Sequence, residues 1–374
     1  MNPKGSRTLL TLLTLLLFTT ATPWAFGANI GIVFDGPSDL NGKALATYKK
    51  EIEDLTEGQF TVTFPEDKII TSDWTAQGVA AAIDKLLADR RVDIIIALGI
   101  IGSTEVTGRS SFPKPVIAPW VIDPTLLGLT PSSNGGSRVR NLYYMSRQKT
   151  LGRNIKKFKE IVGFKKMALL YMPLVKELAP GVEISVKKIA SANNIVITLV
   201  PAKGSVKETL SSIPPDAQAV YVTLIPVYSN SQIAELYDGL IEMKLPAFSM
   251  SGLGEVRAGA LIGLTPEHNL TREARRVALV VQSILLGNHA ENYPVEYSEE
   301  ELLSINMATA SAIKFSPSWS ILTEATLINE ETAQKGRRLT LEEAVNESVD
   351  TNLDLLAANQ FVSAGAQDIK LAMA

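Results

Sequence analysis

Apolar runs of strand length alternate with stretches of helical period along most of this chain. The run 29–34 predicts a strand that ends on the turn signal Asp35-Gly36-Pro37. Residues 42–55 carry a helical pattern and 59–64 an alternating one. Ala76, Val79, Ala80, Ile83, Leu86 and Leu87 share one helix face, which Ser72 or Asp73 is placed to cap. The run 92–98 is continuously apolar, as suits a parallel strand covered on both faces. Residues 116–122 predict another strand, closed by Asp123-Pro124.

The pattern then resets. Residues 131–137 are rich in Ser, Asn and Gly and read as a connection. Helices are expected at 151–162, 181–192, 231–243 and 271–286, and strands at 166–171, 195–200, 219–224, 247–250 and 260–264. Ala274, Val277, Ala278, Val281, Ile284 and Leu285 line one side of the last helix, and Gly287 suits its C-terminus. Two successive β-α-β sets imply an α/β protein of two doubly wound lobes, each a parallel sheet covered by helices. The expected layout is a signal peptide at 1–28, a first lobe at 29–130 and a second at 131–270. A crossover helix with terminal elements that pack back across the lobes follows at 271–329, then a linker and helical tail at 330–374.

Composition narrows the setting. Lys4 and Arg7 precede an apolar run at 9–18, and Ala25-Phe26-Gly27 offers small residues for a signal peptidase. The run is short for a bilayer span, which needs about 20 apolar residues. Export to a periplasm is therefore expected, without lipid modification, because no cysteine follows the run. The chain has no cysteine at all, so its stability rests on buried core and not on disulfides. A net charge of −3 with scattered basic residues argues against a nucleic-acid partner.

Several segments, taken in order, resemble the substrate-binding proteins of ABC transporters, of the tryptophan and tyrosine type. They are the first strand at 29–34, Val92-Asp93 through Gly99, Pro115-Val116 through Asp123-Pro124 and Gly128, Ser133-Asn134-Gly135-Gly136, and Ser304 through Ala310. The resemblance spans about 29–325. It implies the type I periplasmic binding protein fold, a small-molecule ligand such as an amino acid or another small aromatic or polar solute, hinge closure, and delivery to an inner-membrane ABC permease. The loops at 35–38 and 99–104 depart from the amino-acid binders, so tryptophan or tyrosine transport is not carried over. In the tail, Leu339 through Val345 and Asn352 through Leu356 resemble the first helix of TolC-like outer-membrane efflux proteins, with Thr340 and Glu343 as a capping box. That implies, as the alternative, a sensor or accessory part working with efflux-system components, or the remnant of a fusion. A generic amphipathic helix is the plainer reading.

In doubly wound sheets ligands bind beyond the carboxyl ends of the strands. The loops that matter are therefore 35–38, 99–104, 120–124, 171–173, 225–228 and 249–252. Asp35 and Asp123 can hold a ligand ammonium or hydroxyl, or can simply fix turns. Ser103 and Thr104 open a helix whose free N–H groups, after Gly99, can bind a ligand carboxylate, or they cap it. Phe34, Trp120, Tyr171 and Tyr228 sit at strand ends as candidate aromatic walls, or as core. Ser38, Pro226, Ser249 and Ser251 complete the candidate rim. His268 and His289 are too far apart for one helical metal site, and Gly252-Leu253-Gly254 lacks the third glycine of a dinucleotide fingerprint. With no Gly-x-Ser-x-Gly elbow either, neither catalysis nor a cofactor or metal is expected.

Overall fold

The computed structural model describes residues 27–121, 124, 127–147, 150–266, 269–297 and 301–330, together with 340, 342 and 362. The compact unit ends at Asn329, and Glu330–Ala374 is a separate unit. The signal-peptide reading and nearly all of the TolC-like tail lie outside the described residues, as do Asp123 and His268.

The first lobe is built from β1 (Gly27–Phe34), α1 (Asp39–Thr56), β2 (Thr61–Thr63), β3 (Ile69–Thr71), α2 (Ala76–Ala88), β4 (Ile94–Leu98), α3 (Ile100–Thr107), β5 (Ser111–Ala118) and β6 (Arg140–Tyr144). The strands are parallel, in the order β2-β1-β4-β5-β6 with β3 also beside β1. Strand alternation divides the core. Ile30, Ile32 and Phe34 face Tyr48 and Ile52 of α1, while Val33, Ile95 and Ala97 face Val79, Ile83 and Leu86 of α2. Complete burial of each Val, Leu, Ile or Phe side chain among them stabilises the fold by about 1.5–3 kcal/mol.

Several details differ from the sequence reading; β3 was not expected, and α3 opens at Ile100, so Ser103 and Thr104 lie inside it. The cap of α2 is Thr75, whose hydroxyl accepts from Gly78 N at 2.9 Å, and Asp73 instead accepts from Thr75. β5 begins at Ser111, earlier than expected, because Pro113 and Pro115 mask it. They are tolerated because its pairing with β6 shifts register between Ser111 and Val116. β6 itself falls in the stretch assigned to the second lobe. Its exposed Arg140 and half-buried Asn141 hide a strand whose Leu142, Tyr143 and Tyr144 are buried in the first.

After the short β7 (Ser146–Arg147) the second lobe follows: α4 (Thr150–Val162), β8 (Lys166–Tyr171), α5 (Val175–Leu178), α6 (Val182–Ala192), β9 (Val196–Pro201), α7 (Val206–Ser211), β10 (Ala219–Val222), α8 (Asn230–Glu242), β11 (Ala247–Ser249), α9 (Leu253–Arg257) and β12 (Ile262–Gly263). Next, α10 (Asn269–Leu285) returns to the first lobe, where Val277, Ala278 and Val281 join the core beside α1. β13 (Glu296–Tyr297) pairs with β7, and β14 (Ser304–Asn306), α11 (Met307–Ala312), α12 (Trp319–Glu324) and β15 (Thr326–Ile328) finish the second lobe. Its sheet runs β15-β14-β12-β11-β10-β8-β9, parallel except for the antiparallel β12–β14 pair.

The edge of the first lobe carries an ion network. The Lys68 Nζ lies 2.7 Å from Asp67 and 2.6 Å from Asp89, and Arg91 reaches both carboxylates. Hydrogen bonding to Lys68 is the main cause that holds both carboxyls below their usual range. Each folded value lies below the unfolded value of 3.8. Their stabilisation is therefore complete above that value and is lost as the pH falls through the folded values. Replacing Lys68 with Met should move the acid-unfolding midpoint upward by about half a pH unit, read by circular dichroism. An unchanged midpoint would show that the network contributes nothing.

Candidate functional site

Phe34 of β1 pairs with Leu98 of β4, so the loops that leave these strands start side by side. Asp35 turns into the gap. Its Oδ2 accepts from Ile101 N at 2.8 Å and its Oδ1 from Gly102 N at 2.9 Å, at the start of α3. The residue is only 5 % exposed. Gly99 makes this possible, since a Cβ there would stand 2.2 Å from the carboxyl group. Burial pushes the Asp35 carboxyl upward, and the N–H groups of Gly102, Ile101 and Ile100 pull it back. The N–H groups expected to be open to a ligand carboxylate thus already hold one from the chain itself.

Ser103 is fully buried, and its hydroxyl bridges Ala97 O and Trp120 N at 3.2 and 3.1 Å. It anchors the loop after β5. Thr104 Oγ1 is buried without a hydrogen-bond partner. Trp120 is half-buried, and its indole N–H donates to Glu273 Oε2 at 3.2 Å. Glu273, 2 % exposed, also accepts from Asn269 at 2.7 Å. Trp74 stands next to Asp35, with its N–H on Asp35 O at 2.8 Å and a φ of 65° that a bulky residue seldom adopts. Its ring covers Gly36, where a Cβ would lie 2.4 Å away.

The second-lobe candidates are mostly committed to the fold. Ser249 is buried, donates to Glu255 at 2.6 Å and accepts from Gly252 N. Tyr228 is buried, with its hydroxyl on Thr209 Oγ1 and Lys203 O at 2.7 and 2.8 Å. Tyr171 packs in the core, with Lys176 over its ring. Phe34 lies in the first-lobe core. The expected four-ring wall is therefore revised. Phe34 and Tyr171 end their strands with their rings in the core, Tyr228 is buried in the turn before α8, and Trp120 is half-buried. Pro226 and Ser251 are half-buried rim positions, and Ser38 caps α1 by accepting from Leu40 N.

Among the described residues, the lobes meet at two contacts that bear on the cleft. Asp39 in the first turn of α1 accepts at 3.0 Å from Asn230 N in the first turn of α8. Leu174 and Leu178 of the second lobe pack against the first-lobe core under α2 and α3. The chain crosses between the sheets three times: between β7 and α4, between β12 and α10, and between β13 and β14. Arg276 of α10 ties the first lobe to the chain between α10 and β14. It donates to Tyr143 Oη, Pro294 O and Glu296 O, and lies over the Tyr297 ring. Arg276→Ala should lower stability by about 2 kcal/mol in urea unfolding. A loss indistinguishable from zero would remove this tie from the account.

Sequence reading missed Asp39, Trp74, Asn230 and Glu273. Only Glu273 left a signal: it shares the apolar face of α10 with Leu270, Ala274 and Val277 at helical spacing. A carboxylate there requires a partner. His289 is exposed. Among the described residues, no group of three or more His, Asp or Glu is placed to hold a metal ion, and no helix is long and apolar enough to cross a membrane.

The profile of the ABC transporter substrate binding protein family matches residues 66–328. The match stops short of the tail at 330–374, on which the efflux resemblance rested. No curated protein matches. Among solved structures, a conserved domain protein from Vibrio cholerae superposes with a TM-score of 0.62 at 17% identity, covering 80% of this chain and 99% of that one. An ABC domain in complex with L-Trp, from Streptococcus pneumonia, has a TM-score of 0.61 at the same identity and coverages. A ligand-free, open substrate-binding protein with adhesive properties from Clostridium difficile gives 0.52, again at 17% identity with 80% and 99% coverage. The shared architecture is the type I periplasmic binding protein fold.

Proposed function

Because this chain belongs to the ABC transporter substrate-binding proteins, a family of binding proteins and not of enzymes, we propose that it captures one small solute between its lobes. An inner-membrane ABC permease then takes the solute from the closed form. The observation that carries this reading is the bond from Asn230 N to Asp39. It draws the second lobe onto the first beside the carboxyl-end loops. Fold relatives solved with L-Trp and as a ligand-free open form support a cleft that opens and closes. A ligand that prefers the closed form shifts the population toward it by its differential affinity. The basic, apolar and small-residue pattern of residues 4–27 supports work in the periplasm, which cell fractionation tests directly.

Trp120 is the aromatic surface of the cleft. Its backbone is tied to Ser103 and its indole edge to Glu273, so the ring is held ready. A thermal-shift screen against amino acids, amines, sugars and nucleosides identifies the solute class. At about 100 times Kd a true ligand adds about 2.7 kcal/mol of stability. Trp120→Ala should weaken that ligand by about tenfold or more, as loss of an aromatic anchor does. A flat response across all classes would defeat the proposal.

A further inference from the structure

We infer that Asp35 fills the anion seat of the cleft from within, so that the solute is a neutral or cationic molecule without a carboxylate. This rests on the reading that the cleft holds a small solute. The first-turn N–H groups of α3 form the positively polarised end of a helix beyond the carboxyl end of a sheet strand. Such an end is where a ligand anion would sit. Both Asp35 oxygens occupy it, at 2.8 and 2.9 Å, and the space for them exists only because residue 99 has no side chain. The adjacent Ser103 hydroxyl is spent on Ala97 and Trp120.

A second observation is independent of that geometry. The six carboxyl-end loops at 35–38, 99–104, 120–124, 171–173, 225–228 and 249–252 contain no Lys, Arg or His. Their charged residues are Asp35 and Asp123, both acidic. Lys176 follows shortly after Tyr171 and is engaged by Glu183 at 2.6 Å. Asp39 at the lobe contact and Glu273, which accepts from the Trp120 indole, add carboxylates near these loops. A ligand carboxylate would meet like charge and find its seat taken. An ammonium, amide or hydroxyl group meets no such opposition.

Matched probes isolate the carboxylate. We would measure L-tryptophan, L-tryptophanamide and tryptamine, the same trio built on tyrosine and on leucine, and glucose against glucuronate. Thermal shift and calorimetry on the purified protein at neutral pH give the affinities. In every series that binds, the carboxylate member should bind about tenfold or more weakly than its partners. Asp35→Ala uncovers Ile101 N and Gly102 N and should shrink or reverse that ratio. Asp35→Asn removes the charge while keeping an acceptor, and should shrink it even if the alanine variant folds poorly. A carboxylate member that binds the unaltered protein as tightly as its amide or amine overturns the inference and leaves solute binding intact. No response to any probe or to the wider screen overturns solute binding and the inference together.

Discussion

Gly252→Ala should cost about 4 kcal/mol of stability, the sum of backbone strain and overpacking. Gly252 has φ 81° and ψ −139°, a region that residues with a Cβ avoid. A Cβ there would also stand 2.1 Å from Thr265 O and 2.5 Å from Thr265 Cβ. The carbonyl cannot step aside, because it accepts from Leu253 N at 2.9 Å. The turn after β11 is thereby pressed onto the chain leaving β12, which sets the position of Ser249 and Ser251. Gly254 is the control. It lies two residues on, in α9, with nothing within 4 Å of an added Cβ. Gly254→Ala should be neutral or stabilising by up to about 1 kcal/mol through helix propensity. Urea unfolding with a common m-value separates the two, and equal effects would refute the close-packing argument.

Phe158→Ala should cost about 3–5 kcal/mol. The ring is fully buried on α4, with centroids 4.9 Å from Phe164 and 5.5 Å from Phe248. Phe248 in turn stacks on Tyr221 at 4.9 Å. The cavity would open where three elements meet: α4, the chain just before β8, and β11. Rigid strands on one side limit its collapse. A shift in denaturation midpoint without a change in m-value is the expected signature. A loss below about 1 kcal/mol would mean that the second-lobe core repacks freely.

These two sites differ in how visible they were beforehand. Phe158 belongs to a helix whose apolar period can be read directly, and its burial follows from that period. Gly252 stood in a weak Gly-x-Gly pattern, and nothing local announced the Thr265 carbonyl that makes it indispensable. The same contrast holds across the candidate site. Trp120 stood out as an aromatic at a strand end and stays half-buried. Phe34, Tyr171 and Tyr228 stood out by the same rule and are core, because strand-end position does not reveal which way a ring turns. Asp35 was legible as a carboxylate in the right loop. Its role reversed once the fold brought α3 within 2.8 Å, and a candidate ligand holder became an internal occupant.

Alternation of period 2 and of about 3.6 by itself determined the α/β class, the two lobes, most strands and helices, and the loops at the strand ends, because each records which face of an element meets apolar neighbours. Only the tertiary structure decided that β6 joins the first sheet, that α10 returns to α1, that Asp39 meets Asn230, and that Glu273 holds Trp120. These pairings join residues up to 227 positions apart. They depend on how finished elements pack, and no local pattern in the chain encodes that distance or direction.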